Sequence, residues 1–269
     1  MKNRLLAVAL ARSLSAGLFA ILLFSCATVP ETGRRQLVLI GADQEMQLGI
    51  GEFQKLKQST PICRDLKTDE MVQAVGKRIA TVAPLANTQW EFVVFEDPKT
   101  VNAFCLPGGK VGVYTGILRI TQDEAGLAAV IGHEVSHAVA HHGAERLSQG
   151  MLAQYGGEIV GQVIKTNSEI TRSLILQAYG LTSAVGVLLP YSRLQESEAD
   201  RLGLIYMARA GYDPRQAIEF WKRMAAYSNQ HGGQPLQFLG THPLDDTRIK
   251  QLETELPQAL AEYQKTTAH

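Results

Sequence analysis

Polar and apolar residues alternate with a helical period over most of this chain, and with a period of two in one short region. Met46, Ile50, Phe53 and Leu56 recur at helical spacing and predict a helix over 43–58, with Asp43 as its N-cap. Met71, Val75, Ile79 and Val82 predict a second over 67–82, stopped by Pro84. The period then changes. Trp90–Phe95 is β-branched and aromatic and reads as a strand. Val101–Leu106 and Lys110–Thr115 follow as two more, joined by the turn residues Pro107-Gly108-Gly109. A small antiparallel sheet is expected from these three. Helical patterns resume over 123–142, with Gly143 as a C-terminal stop, and again over 145–165, 170–188, 191–210, 214–228 and 246–264, where Pro257 interrupts. The expected fold class is α+β, mainly helical, with one small sheet ahead of the helix at 123–142.

That helix carries the chemistry. Within the apolar run Ala129–Ala140, His133, Glu134 and His137 are the only residues with charge or metal-binding capacity. Histidines four apart share a helix face, roughly 5–6 Å between Cβ atoms. Two imidazole nitrogens can then reach one zinc ion at about 2.0–2.1 Å. Glu134, one residue round, can hold a water on the ion as general base without being a ligand. A catalytic zinc takes a third protein ligand and leaves a fourth position open. His141, eight residues from His133 and about 12 Å along the axis, is too far. Ala140 and Gly143 exclude the arrangement with a further histidine six residues on. Glu196 and Asp200 share a helix face, whereas Glu198 falls nearly opposite, towards solvent. Spacing alone fits a solvated acidic helix start as well as a ligand with a supporting carboxylate.

Composition adds the setting. The 269 residues are 45% apolar and 19% charged, enough for a sizeable core, and the zero net charge gives no sign of a nucleic-acid partner. Residues 1–25 carry Lys2, Arg4 and Arg12 and no acid, then an apolar stretch from Leu14 to Phe24, the pattern of a secretory signal. Without those three cations, 23 basic residues face 26 acidic ones. Leu23-Phe24-Ser25-Cys26 resembles the processing box of bacterial lipoprotein precursors, which implies cleavage before Cys26 and a lipid anchor on its thiol. Ala27 in place of an inner-membrane retention aspartate favours the outer membrane. Residues 26–42 are then a lipidated linker and 43–269 one domain. Cys63 and Cys105 are expected as free thiols rather than a disulfide. The uncharged 174–189 segment is short for a membrane span and reads as a buried or lid helix.

His133 to His137 followed by Glu196-x-x-Ala199-Asp200 resembles the HtpX, Oma and CAAX-prenyl-endopeptidase group of zinc metallopeptidases. The likeness spans about residues 43–255 and includes Val101-Asn102-Ala103-Phe104, Pro107-Gly108-Gly109-Lys110-Val111, and Thr241-His242-Pro243 with Arg248. It is nearest to the periplasmic lipoprotein members. It differs from relatives that carry a tetratricopeptide array, which puts an assembly role like theirs in doubt. The resemblance implies a zincin-like domain, one zinc per chain, Glu196 as third ligand and Asp200 behind a ligand histidine. His242 is the candidate donor to the tetrahedral oxyanion, with Arg248 or Tyr191 behind it, and could also close on the ion. Asn102, Ala103 and Phe104 would bind an extended substrate by strand addition. The implied activity is cleavage of unfolded or misassembled envelope proteins. A binding module with a gated metal is the alternative, and a cell-wall amidase is disfavoured by the ligand spacing.

Overall fold

The computed structural model describes residues 26–29, 31–85, 88–155, 169–181, 192–231, 236–244 and 247–267. Residues 1–25, where the secretory signal is expected, Tyr191, Gly232-Gly233 and the later parts of the helical patterns at 145–165 and 170–188 lie outside them.

A two-stranded antiparallel hairpin, β1 (Cys26–Thr28) and β2 (Arg35–Leu37), opens the described chain. Residues 26–42 therefore do not run as an open linker. Two helices follow, α1 (Ala42–Ser59) and α2 (Leu66–Ala80). Gly41, not Asp43, is the N-cap of α1, and the acids Asp43 and Glu45 occupy its first turn, where the helix dipole favours them. Asp65 caps α2 by accepting from the Thr68 amide.

Strands β3 (Glu91–Phe95), β4 (Ala103–Leu106) and β5 (Lys110–Tyr114) form the main sheet in the order β3-β5-β4. The tight turn through Gly108 and Gly109, at φ 80 and 71, makes β4 and β5 antiparallel as expected. Pairing of β3 differs from the expectation: it lies parallel to β5, with Glu91 opposite Lys110. The chain passes β4 first and returns down the middle, so the strand nearest in sequence to β3 takes the far edge.

Successive side chains of this sheet enter two separate cores, because both faces are covered. Phe92, Val94, Ala103 and Cys105 join the larger one, while Val93, Phe95, Phe104 and Leu106 join Phe53, Leu147, Leu174 and Tyr179 in the smaller. After α3 (Thr115–Thr121), the histidine-bearing α4 (Glu124–Val139) runs through the larger core. Asp123 caps it by accepting from the Gly126 amide at 2.8 Å. It stops at Ala140 and His141, the latter at φ 52, and Gly143 instead lies inside α5 (His142–Tyr155) against the Tyr179 ring.

Then come α6 (Glu169–Ala178), α7 (Arg193–Arg209), α8 (Arg215–Gln230), the short α9 (Gln237–Thr241) and α10 (Arg248–Thr267). Pro257 sits within α10 without ending it. No helix among the described residues is long and apolar enough to cross a membrane. Cys63 is half-buried and Cys105 buried, and both are free thiols. Helix α4 packs most extensively on α7, which packs in turn on α10. At the crossing, a Cβ on Gly203 would stand 3.0 Å from the His133 amide nitrogen, and one on Gly132 would stand 3.0 Å from the Gly203 carbonyl oxygen. Backbone meets backbone there.

Candidate metal centre

That close crossing brings the two motifs together. Helix α7 starts with a capping box, Ser192 accepting from the Gln195 amide and Gln195 accepting from that of Ser192. The first turn this fixes carries Glu196 to the His133–His137 face of α4. His133 Nε2 and His137 Nε2 are 3.1 Å apart. Glu196 Oε1 is 3.3 Å from His137 Nε2, and its Oε2 is 3.5 Å from His133 Nε2. His242, the cap residue after α9, brings Nδ1 to 3.2 Å from His133 Nε2 and 3.0 Å from Glu196 Oε1. One donor atom from each of the four residues falls within 4.8 Å of all the others, and all four residues are buried.

These separations fit a metal ion. Four ligands placed tetrahedrally at about 2.0–2.1 Å from a centre stand about 3.3 Å from one another. Charge fits as well. Glu134, Glu196 and Asp200 are buried here with one guanidinium, that of Arg248, so the carboxylates are in excess. Burial alone would lower His133, yet Asp200 and Glu196 outweigh it and lift His133 to about 9. The protein groups alone thus draw a positive charge to the spot a divalent cation would fill. Burial would raise Glu196, but His242 and Arg248 hold it well below the carboxylate range. Burial pushes His137 well down, leaving its ring neutral, as a ligand must be.

Glu134 stays out of the donor cluster. Its Oε1 is 3.3 Å from His242 Nε2, and burial pushes its carboxyl up. Asp200 Oδ1 is 2.9 Å from His133 Nδ1, off the ring N–H axis, and accepts from Arg248 Nη2 at 2.7 Å. Arg248 Nη1 lies 2.8 Å from Glu196 Oε2, and the guanidinium stacks on Trp221 at 3.5 Å. His141 points elsewhere, its Nδ1 2.8 Å from Glu45.

Residues 66–256 match the model described as peptidase family M48. The chain belongs to that family. It is 39% identical to the mitochondrial metalloendopeptidase OMA1 of Schizosaccharomyces pombe over 188 residues, covering 70% of this chain and 53% of that protein. Against mitochondrial metalloendopeptidase OMA1 of Homo sapiens it is 31% identical over 90% of this chain and 48% of the relative. Against the β-barrel assembly-enhancing protease of Escherichia coli the figures are 27%, 84% and 46%. The chain spans about half the length of the curated relatives it matches. Family M48 peptidases depend on a metal, and the His-His-Glu-His group of this M48 chain is a set that could bind one.

One expectation changes at this M48 site. Glu198 does not face solvent: it is buried and accepts from His142 Nε2 and Arg34 Nε, both at 2.8 Å, and from the Thr32 hydroxyl. Burial opposes its charge, but those three partners hold it at about 2. The uncharged run Leu202–Ala208, which is buried throughout, is the sequence signal that α7 has little free face. The Phe104 side chain packs edge-on against Phe53 and beside Phe95 and Tyr114, away from the pairing edge that strand addition would use. Any part it plays there falls to its backbone. Asn102 is buried, with Nδ2 3.4 Å from the Gly180 carbonyl, and Ala103 lies buried at the start of the edge strand β4.

Proposed function

We propose that this chain is a zinc-dependent endopeptidase, one zinc per chain, with His133, His137 and Glu196 as ligands and Glu134 as the general base. The match between the donor separations and a tetrahedron carries this reading. Zinc, when bound, would supply Lewis acidity towards water and the scissile carbonyl. Glu134 would take the proton of the attacking water and deliver it to the departing amine. Its burial, which raises its affinity for a proton, suits both steps. Asp200 would hold the His133 ring in the tautomer that presents Nε2, with Arg248 fixing Asp200 in turn.

His242 would have two positions. In the one described, its Nδ1 stands among the donors and shields the centre. Swung aside for a substrate, it would donate to the oxyanion. Edge strand β4, approached at Asn102, Ala103 and Phe104, would pair with an extended chain through its main chain, which suits unfolded or misassembled proteins as substrates. Lipidation of Cys26 would place the activity in the bacterial envelope, on the periplasmic side of the outer membrane. Glu134→Gln is the test. Casein cleavage should fall by about 10²–10⁴-fold with zinc content unchanged. Undiminished cleavage would sink the base assignment. A wild-type protein that binds zinc and unfolded chains but cuts none would favour the gated binding module.

A further inference from the structure

Behind His137, on the side away from the proposed ion, runs a line of buried polar groups that the peptidase reading leaves without a role. His137 Nδ1 is 2.8 Å from His142 Nδ1. His142 Nε2 is 2.8 Å from Glu198 Oε2. Glu198 accepts from Arg34 Nε at 2.8 Å and from the Thr32 hydroxyl. Arg34 also donates to Glu145, at 3.0 and 2.9 Å, and to Gln36 at 3.0 Å. The His142 side chain is fully buried and that of Glu198 is 5% exposed. Three parts of the chain contribute: α5 gives His142 and Glu145, α7 gives Glu198, and the N-terminal hairpin gives Thr32, Arg34 and Gln36.

We propose that His142 is the positioning residue for the metal ligand His137, and that the hairpin holds it in place through Arg34 and Glu198. The inference rests on the zinc reading above. A histidine that offers Nε2 to an ion carries its proton on Nδ1. Two Nδ1 atoms 2.8 Å apart form a hydrogen bond only if one donates and the other is bare. His137 is therefore the donor and His142 the acceptor. His142 must then carry its own proton on Nε2, which is where Glu198 waits to accept it. Reversing His142 would aim its Nδ1 proton at His137, force the His137 proton onto Nε2, and set a bare nitrogen against a carboxylate. Glu198 thus selects the tautomer of His142, and His142 selects that of His137. Arg34 holds Glu198 and Glu145 together, so the hairpin, α5 and α7 fix the ring as one unit.

The full chain, titrated with zinc against a competing chromophoric chelator, tests this. His142→Leu should weaken zinc binding by about 10–100-fold, the usual cost of losing a partner behind a ligand histidine. His142→Asn, whose amide oxygen falls near the Nδ1 position, should stay close to wild type. Arg34→Ala, which takes a side chain only 16% exposed away from Glu198 and Glu145, should weaken binding in the same direction by a smaller factor. Long-range ¹H–¹⁵N spectra of the zinc-loaded wild type should show His137 protonated on Nδ1 and His142 on Nε2. Unchanged affinity in both His142→Leu and Arg34→Ala, or His142 protonated on Nδ1, overturns the proposal while the peptidase reading stands. If wild type takes up no zinc, or Glu196→Ala takes up as much as wild type, the metal reading falls and this inference falls with it.

Discussion

The two histidines of α4 are steadied from opposite ends of the chain. His133 faces a carboxylate directly, Asp200 at 2.9 Å, held by Arg248 at the start of the last helix. His137 reaches its carboxylate only through a second ring, His142, and Glu198 is held by Arg34 of the first hairpin. The plan is the same on both sides: a ring, a buried acid, a buried or nearly buried arginine. What differs is how many hydrogen bonds must be right at once. A direct contact places a full negative charge beside the ring, whereas a relay transmits orientation and dilutes charge.

Removing what the two sides share should have the largest effect. Glu196→Ala leaves Arg248 without one of its two carboxylates and the donor cluster one short. Zinc content should drop from about one per chain towards none, and stability should fall by about 3–5 kcal/mol, the cost of breaking a buried ion pair. Elemental analysis and thermal unfolding check both. Next come Asp200→Asn and Glu198→Gln in the chelator competition. The first should cost about 10–100-fold in zinc affinity. The second should cost less, because its amide oxygen can still accept from His142. Equal losses would show that the relay matters as much as the direct contact. Gly203→Ala should act on both sides together, since its Cβ would press on the His133 backbone. Unfolding should register about 1–3 kcal/mol, with a parallel loss of zinc affinity.

The smallest effect is a difference in acid response. Glu198 titrates at about 2 in the folded chain against an ordinary 4.5, so its charge stabilises the fold above 4.5 and that contribution is lost as pH falls towards 2. Over that window the protection of the hairpin amides, relative to the intrinsic exchange rate at each pH, should fall in wild type. In Glu198→Gln the hairpin should exchange faster at neutral pH and change less with acid.

The difference between the sides also decides what could be read from residues alone. His133, Glu134 and His137 follow from helical spacing, and Asp200 follows four residues after Glu196 on one face. Arg34 sits in a short polar stretch with no periodic pattern, so nothing local announces that it reaches acids 111 and 164 positions away. Counting angles round one helix sets Glu198 facing water. That reasoning assumes a wet face, and α7 is wrapped by α4, α10 and the hairpin. The three strands were legible from their β-branched runs, but the parallel pairing of β3 with β5 was not, because composition records strand-forming tendency and not the order in which strands meet.

The contact between Gly132 and Gly203 has a consequence for how this protein can change over time. Where two helices are spaced by interlocking side chains, each substitution shifts the gap by a fraction of an ångström. Here main chain rests on main chain, so the distance from the imidazoles to the carboxylate of residue 196 is set by atoms that every amino acid shares. The surrounding aliphatic residues are then free to drift, one for another, without shifting the donor atoms relative to each other.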